Sequence, residues 1–449
     1  MKFELTKEFI SDLSDAIASG NSTLISNKLQ DLHAADIAEL LDEFETTEVK
    51  YIFDLLDEEV SADVLAELEE DVREELLSNL SAKEIAESLD NMDSDDAADV
   101  IQDLEEGRQA EVISNIEDFE QATDIVSLLK YDENTAGGLM AKEFIMVRES
   151  WTVAEGIQEM RRQAEEVEQV YTIYVVDDQN KLLGTLSLKS FLFADDNTRI
   201  ESLYMKGARS VQTDVEDEEV AVIMDKYDLV VLPVVNDEGV LLGRITIDDV
   251  VDVIREEAEK DYQMASGITE KVESSDSVWM LTRARLPWLL IGLAGGLLGA
   301  QVIVGFEDKL GEFPVMASFI PVILAMGGNV GVQSSAIIVQ ALAQNTLKLE
   351  STGKKLLKEL LVAIVNGLIC SVILVGYTMV MHNDIDLALT MTVAMISVFI
   401  YAGLFGTLVP LVLNKYKIDP ALATGPFITT ANDVFGLLLY FLMGWLIYF

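Results

Sequence analysis

A chain of 449 residues is too long for one hydrophobic core, and a formal charge of −48 beside 50% hydrophobic residues does not suit a single compact globule. The charge is unevenly placed: residues 286–449 hold 9 acidic and 7 basic residues, which leaves 70 acidic against 24 basic in 1–285. Such acidity argues against a nucleic-acid partner. Single Cys370 excludes an intrachain disulfide, and neither His33 and His382 nor any Ser or Cys forms a catalytic or metal-ligand pattern, so no enzyme activity is expected.

The N-terminal "MKFELTKEFISDL" has no apolar core of a signal peptide. Through residue 135 the pattern is one of short amphipathic helices. Apolar residues recur every twelve positions, at Leu32, Phe44, Leu56, Leu68, Leu80, Met92, Leu104, Ile116 and Leu128. A unit of a dozen residues cannot bury its own face, so the units are expected to stack into an α-superhelix. Most acids here read as a solvated face. In "SDDAAD", however, Asp95 and Asp99 stand at i, i+4 and repel each other; a divalent cation or a basic surface would relieve that.

Residues 136–257 contain a second repeat. "YVVDDQNKLLGTLSLKSFL" (174–192) aligns without gaps on "PVVNDEGVLLGRITIDDVV" (233–251), at an offset of 59. Each copy reads as strand, polar turn, strand and helix start. This resembles a tandem pair of cystathionine-β-synthase-type (CBS) modules, with repeats at 136–200 and 201–257. Such pairs bind adenine nucleotides or act as regulatory gates, which leaves ATP as a candidate modulator. Acids gather in the second copy: Glu216, Glu218, Asp225, Asp228, Asp249 and Asp252. The stretch lacks the Asp-x-Asp-x-Asp-Gly loop of an EF-hand.

Residues 258–282 read as a polar connecting helix. Five apolar stretches follow, at 286–306, 313–342, 360–381, 387–413 and 426–449, each long enough to cross a bilayer. Lys348, Lys354, Lys355 and Lys358 lie in one connection and Lys415 and Lys417 in another, while the 307–312 and 382–386 connections are acidic. By the positive-inside rule residues 1–285 are cytoplasmic and the C-terminus lies outside, in the inner membrane of the cell. "MGGNVGVQSS" (326–335) places glycines where backbones approach closely or carbonyls face a cavity. Asn366 and Asn432 also read as interhelical hydrogen-bond glue. Asp433 has no Lys or Arg within any span to neutralise it. A carboxylate at that depth costs ~2.5–3.5 kcal/mol on the lenient insertion scale and marks an ion path or proton relay.

"GGNVGVQ" (327–333) and "NKYKIDPALATGPFITTANDVFG" (414–436) are similar to signature segments of the MgtE family of magnesium channels, and the order of the regions agrees over essentially the whole chain. The resemblance implies a mostly α membrane protein: five transmembrane helices (283–449) preceded by a cytosolic α-superhelical N domain (1–135), an α/β CBS pair and a "plug" helix. It also implies a homodimer in the lipid bilayer that carries Mg²⁺. On this sequence the pore carboxylate is then Asp433, with Gly328, Asn329 and Asn432 along the ion pathway. Regulatory Mg²⁺ would bind Asp95, Asp99, Glu216, Glu218, Asp225, Asp228, Asp249, Asp252 and Glu259. Gln340 departs from the family pattern, where a basic residue is expected.

The expected function is passive, potential-driven Mg²⁺ influx through a channel that cytosolic Mg²⁺ closes. Two other readings stand beside it: a Mg²⁺/Na⁺ or Mg²⁺/H⁺ exchanger using the same carboxylate, and a nucleotide-responsive membrane scaffold that has no need of Asp433.

Overall fold

The protein is described from a computed structural model covering residues 5–164, 167, 169–270, 272, 277–343, 351–423 and 425–449. It divides into two compact units, 1–255 and 256–449.

The first unit begins with ten short helices among the described residues: α1 (Lys7–Ala18), α2 (Ser22–Leu29), α3 (Ala34–Leu41), α4 (Thr46–Phe53), α5 (Glu58–Glu67), α6 (Glu70–Asn79), α7 (Ala82–Leu89), α8 (Ser94–Gln102), α9 (Glu106–Ile113) and α10 (Phe119–Leu128). Their starts are fixed locally. Ser81 and Glu84 form a capping box, as do Glu45 and Glu48. Helices two apart in sequence stack, α3 on α5, α5 on α7 and α7 on α9. From Leu32 to Ile116 the twelve-residue repeat falls in the turns between helices, where those side chains pack against the solenoid core. Leu128 breaks the pattern: it lies inside α10 and joins Ala98 of α8 in the core of the second CBS repeat. The superhelix is thereby docked onto its neighbour by apolar contact.

The CBS region holds two small sheets. In the first, β1 (Ile145–Arg148) pairs parallel with β2 (Ile173–Val176), which runs antiparallel to β3 (Leu182–Leu186), and β3 to β4 (Met205–Lys206). Helix α11 (Val153–Gln163) crosses from β1 to β2, and α12 (Leu188–Leu192) follows β3. The second repeat has β5 (Val211–Gln212) parallel to β6 (Val231–Val235), antiparallel to β7 (Leu241–Thr246), with α13 (Asp217–Tyr227) as the crossover. The 59-residue offset holds to the detail of the backbone. Both hairpins carry a register shift at the same place, Val175/Val176 and Val234/Val235. Asn180 and Gly239 share the positive-φ turn position. Reciprocal bonds join the hairpins: Leu182 N–H donates to Gly239 O, and Leu241 N–H to Asn180 O, each at 3.0 Å.

α14 (Ile247–Ala265) is continuous from the end of β7 and contains residues 258–265 of the connecting segment expected at 258–282. It ends at Ala265, two residues before Gly267, whose φ is +82°. Residues 271 and 273–276 of the expected connecting segment, and Lys348, lie outside the described residues.

Five helices long and apolar enough to span a membrane make up most of the second unit: α15 (Val278–Gly305), α17 (Val315–Ala343), α18 (Thr352–Met381), α19 (Ile385–Lys415) and α20 (Pro426–Ile447), with short α16 (Glu307–Glu312) between the first two. α17 runs unbroken through the glycine cluster. The glycines therefore act by close approach: any Cβ on Gly331 would strike Asn432 and Ile428 of α20, and one on Gly406 of α19 would strike the Gly331 carbonyl. α17, α19 and α20 meet at that point, with the α17–α19 contact free of intervening side chains.

Candidate ion pathway and cation sites

Beside this crossing lies a cavity of about 540 Å³. Its walls come from two helices. α17 contributes Leu324, Ala325, Gly328, Asn329, Val332 and Gln333, and α20 contributes Thr429 and Asp433. Helical periodicity explains the set, since 324/328/332, 325/329/333 and 429/433 are i, i+4 rows on one face of each helix. Asp433 is part-buried. Among the described residues no Lys or Arg forms an ion pair with it and no donor hydrogen-bonds its carboxylate. The room is sufficient for a hydrated ion. Six waters at about 30 Å³ each take ~180 Å³, a third of the cavity. Asn329 and Gln333 supply amide oxygens and N–H groups, and Thr429 a hydroxyl, for a water shell.

Gly328, Asn329 and Asp433, expected along one ion pathway, line one cavity. Asn432 does not. It is 1% exposed, turned away from the cavity, and donates from Nδ2 to the Gly327 carbonyl at 3.3 Å. The adjacent position on a helix points about 100° away, which takes Asn432 off the cavity wall that Asp433 lines. Gln333 and Thr429 line the cavity instead; each stands one turn from a residue the sequence singled out.

The acids of the first unit sort into groups. Ser94, fully buried at the start of α8, donates Oγ to Glu143 Oε2 at 3.0 Å and its N–H to Oε1 at 3.2 Å, and accepts from Lys142 N–H at 2.9 Å. This clasp carries Glu143 to Asp93 and Asp95, and carboxylate oxygens of the three lie within 4.8 Å of one another. Three hard oxygen ligands with open positions for water are the donor set that Mg²⁺ takes. Sequence reasoning found Asp95 but not Asp93 or Glu143, because no spacing rule connects positions about fifty residues apart.

Protonation records how crowded the acids are. Burial holds the Asp95 carboxyl well above the usual carboxylate range, and Asp96 and Asp249 add to it. Asp96 is pushed up to about 8 by desolvation, then by Asp249 and Asp99. Asp99 rises to about 7, mainly through burial, against the opposing pull of Arg73. Glu143 and Asp249 both rise to about 6 through burial, held back by the bonds from Ser94 and from Thr246 respectively. Arg73 is bonded to Asp103 at 2.6 Å, and Arg244 Nη2 stands 3.8 Å from Asp93.

Asp252 joins a second group, where burial first and Asp252 next raise Glu67. The remaining CBS acids do not converge within the chain. Glu216 precedes α13 with Glu218 in its first turn, whereas Asp225 and Asp228 close its far end, about 16 Å away along eleven residues. They cannot share one ion in a single chain. In the second unit Glu259 lies on α14. Burial and then Asp419 raise Asp261 two residues on, an acidic pair that the sequence reading passed over.

A helical solenoid joined to a CBS pair, followed by five membrane-length helices with Asp433 in a cavity roomy enough for a hydrated ion, suits a membrane protein that transports a cation. Family comparison narrows this. The profile described as "Divalent cation transporter" (MgtE) matches residues 320–443, "MgtE intracellular N domain" matches 32–134, and "CBS domain" matches 136–197 and 210–256. The chain is 38% identical over 320 residues to the magnesium transporter MgtE of Thermus thermophilus, covering 71% of each chain. It is 34% identical over 318 residues to that of Enterococcus faecalis, covering 71% of this chain and 70% of the relative. A solved structure of the cytosolic domain of the Mg²⁺ channel MgtE in complex with ATP superposes with a TM-score of 0.51 at 35% identity, over 54% of this chain and 99% of that one. The chain belongs to the MgtE family, a family of magnesium transporters and not of enzymes.

Proposed function

We propose that this protein is a Mg²⁺ channel of the cell membrane, working as a homodimer, that admits Mg²⁺ passively and is closed by cytosolic Mg²⁺. The observation that carries the reading is the cavity at Asp433: an uncompensated carboxylate, flanked by amides and a hydroxyl, with space for the ion and its waters. Mg²⁺ dehydrates reluctantly and needs octahedral oxygen ligands, so one carboxylate per chain selects it by touching its hydration shell. Two copies about a twofold axis bring two Asp433 side chains to one path. A potential of 100 mV, negative inside, supplies ~4.6 kcal/mol for a double charge, enough for influx without a coupled reaction. The Lys-rich connections at 354–358 and 415–417 support cytoplasmic placement of 1–285 and an outside C-terminus.

Closure follows from the acidic first unit. A divalent ion at Asp93, Asp95 and Glu143 neutralises repulsion between superhelix and CBS pair. Asp99, Asp249, Asp252, Glu259 and the α13 acids Glu216, Glu218, Asp225 and Asp228 are the further proposed ligands, the last four in combination with other surfaces. Each ion at ten times its Kd contributes about 1.4 kcal/mol. Moving a gate from 1:99 to 99:1 takes ~5.5 kcal/mol, so about four coupled ions suffice. ATP is the proposed modulator, at the CBS pair beside Phe144, Tyr171, Tyr174 and Arg244, where the space between the repeats is closed in this structure and opens to admit a nucleotide.

Current recording on the reconstituted full chain tests the function. Unitary Mg²⁺ currents that fall as Mg²⁺ rises on the cytoplasmic side are expected. Saturable flux that requires Na⁺ or a proton gradient would replace the channel with an exchanger.

A further inference from the structure

The apolar run of the third span begins at Leu360, which leaves Glu359 with the lysines of the preceding connection. Its carboxylate is not there. Glu359 lies in the third turn of α18, and its Oε1 stands 2.6 Å from Ser334 Oγ of α17, sharing the single hydroxyl proton with the Val330 carbonyl of that helix at 2.9 Å. Ser334 is 4% exposed and lies five residues past the midpoint of α17, ~8 Å along its axis. The third side is α19, where a Cβ on Gly403 would stand only 3.0 Å from Oε1. Glu359 thus reaches inward among three spans through a gap that glycine leaves open.

Among the described residues no Lys or Arg forms an ion pair with Glu359. α17 has no charged residue, those of α19 are at its ends, Asp386 and Lys415, and the cations of α18 itself are Lys354, Lys355 and Lys358 in its first two turns. A carboxylate held at this depth is costly and marks a functional role.

α17 needs that role filled. Its cavity face presents Gly328, Asn329 and Gln333 beside Asp433, and the neighbouring faces carry Gly327 and Gly331. A glycine-lined helix has few knobs to resist turning about its own axis. A turn of 10° moves a polar atom ~5.5 Å from the axis by about 1 Å, which spans the useful range of a hydrogen bond. Side-chain bonds from neighbouring helices supply the missing constraint. Asn432 bonds Gly327 O at 3.3 Å, and Glu359 holds Ser334, the residue next to Gln333.

We infer that Glu359, acting through Ser334, fixes the rotation of α17 and so sets the ion preference of the passage. It is a positioning residue that touches no ion. The inference rests on the ion-path reading of Asp433.

The full chain in liposomes, assayed for the ratio of Mg²⁺ to Ca²⁺ flux, tests it. Ser334→Ala removes the donor and keeps the charge. Glu359→Gln keeps an acceptor of the same shape and removes the charge. Glu359→Ala removes both. The ratio is expected to shift about fivefold in Ser334→Ala and Glu359→Ala, the factor that corresponds to one net hydrogen bond, and to stay within about twofold of the parent in Glu359→Gln. Parent-like ratios in Ser334→Ala overturn the inference, and this small substitution serves even if Glu359→Ala fails to fold. A Glu359→Gln ratio shifted as far as that of Glu359→Ala also overturns it, because charge would then be the cause. Asp433→Asn run alongside separates the two levels: if it too is parent-like, the ion-path reading fails; if it alone changes the flux, only the clasp does.

Discussion

The two acidic regions of this protein handle negative charge in opposite ways. In the first unit, Asp93, Asp95, Asp96, Asp99, Glu143 and Asp249 crowd one another at the junction of superhelix and CBS pair, and burial pushes several of them up to about 6 to 8. In the second, Asp433 stands alone in a cavity with neutral amides and a hydroxyl. Several converging carboxylates can replace waters of a divalent ion and hold it, which suits a sensor. One carboxylate beside neutral dipoles attracts the ion without stripping it, which suits a passage. The number of charges per site thus separates holding from passing.

Breaking the lone charge should have the largest effect. A double charge ~5 Å from a carboxylate gains about 1.7 kcal/mol even at the dielectric constant of water. Asp433→Asn should therefore lower Mg²⁺ flux into liposomes at least about tenfold, and Asp433→Ala should do no better; parent-like flux in both would detach the passage from this residue.

At the crowded site, losing two of three ligands should weaken holding without abolishing the fold. Asp95→Asn with Glu143→Gln is expected to raise the Mg²⁺ concentration for half-maximal trypsin protection of residues 1–255 about tenfold. Protection in Mg²⁺-free buffer should improve in the same variant, because the repulsion is gone. Unchanged Mg²⁺ dependence would remove the trio from the gate.

Acid should imitate the metal. A carboxyl whose folded pKa lies above its unfolded value stabilises the docked state when protonated, fully below about pH 4, and the contribution is lost as pH rises through the folded values of about 6 to 8. Without divalent ions, the cytosolic region should melt higher at pH 6 than at pH 8, by about 2–4 °C per kcal/mol. Saturating Mg²⁺ should flatten the trend, since ligands must be deprotonated to bind it. A melting temperature that rises with pH in Mg²⁺-free buffer would contradict the assignment.

The smallest effect sharpens the boundary of the passage. Asn432→Ala should cost about 1 kcal/mol of stability, read as a lower melting temperature in detergent, and, because its long 3.3 Å bond to Gly327 also helps hold α17, shift the Mg²⁺ to Ca²⁺ flux ratio by less than Ser334→Ala does. Asn329→Ala should shift the ratio without lowering the melting temperature.

Much of this was legible in the chain itself, because local signals carry it. Five apolar runs need no tertiary information to be recognised as spans, and the 59-residue offset predicted two hairpins whose bulges and turns prove equivalent. The twelve-residue period foretold the solenoid, though not that its apolar marks would lie in the turns. Asp433 was conspicuous by composition alone.

What the sequence could not decide was direction and company. Asn432 and Asp433 are neighbours, and only the packing of α20 on α17 determines which of them meets water. Glu143 joins Asp93 and Asp95 because a buried serine at a helix start clasps it across the domain junction. Glu359 leaves its lysine-rich surroundings because Gly403 on another helix gives it room. Composition and periodicity act over a few residues and fix elements. The azimuth of a helix and the meeting of distant side chains are set by close packing, which exists only once the chain has folded.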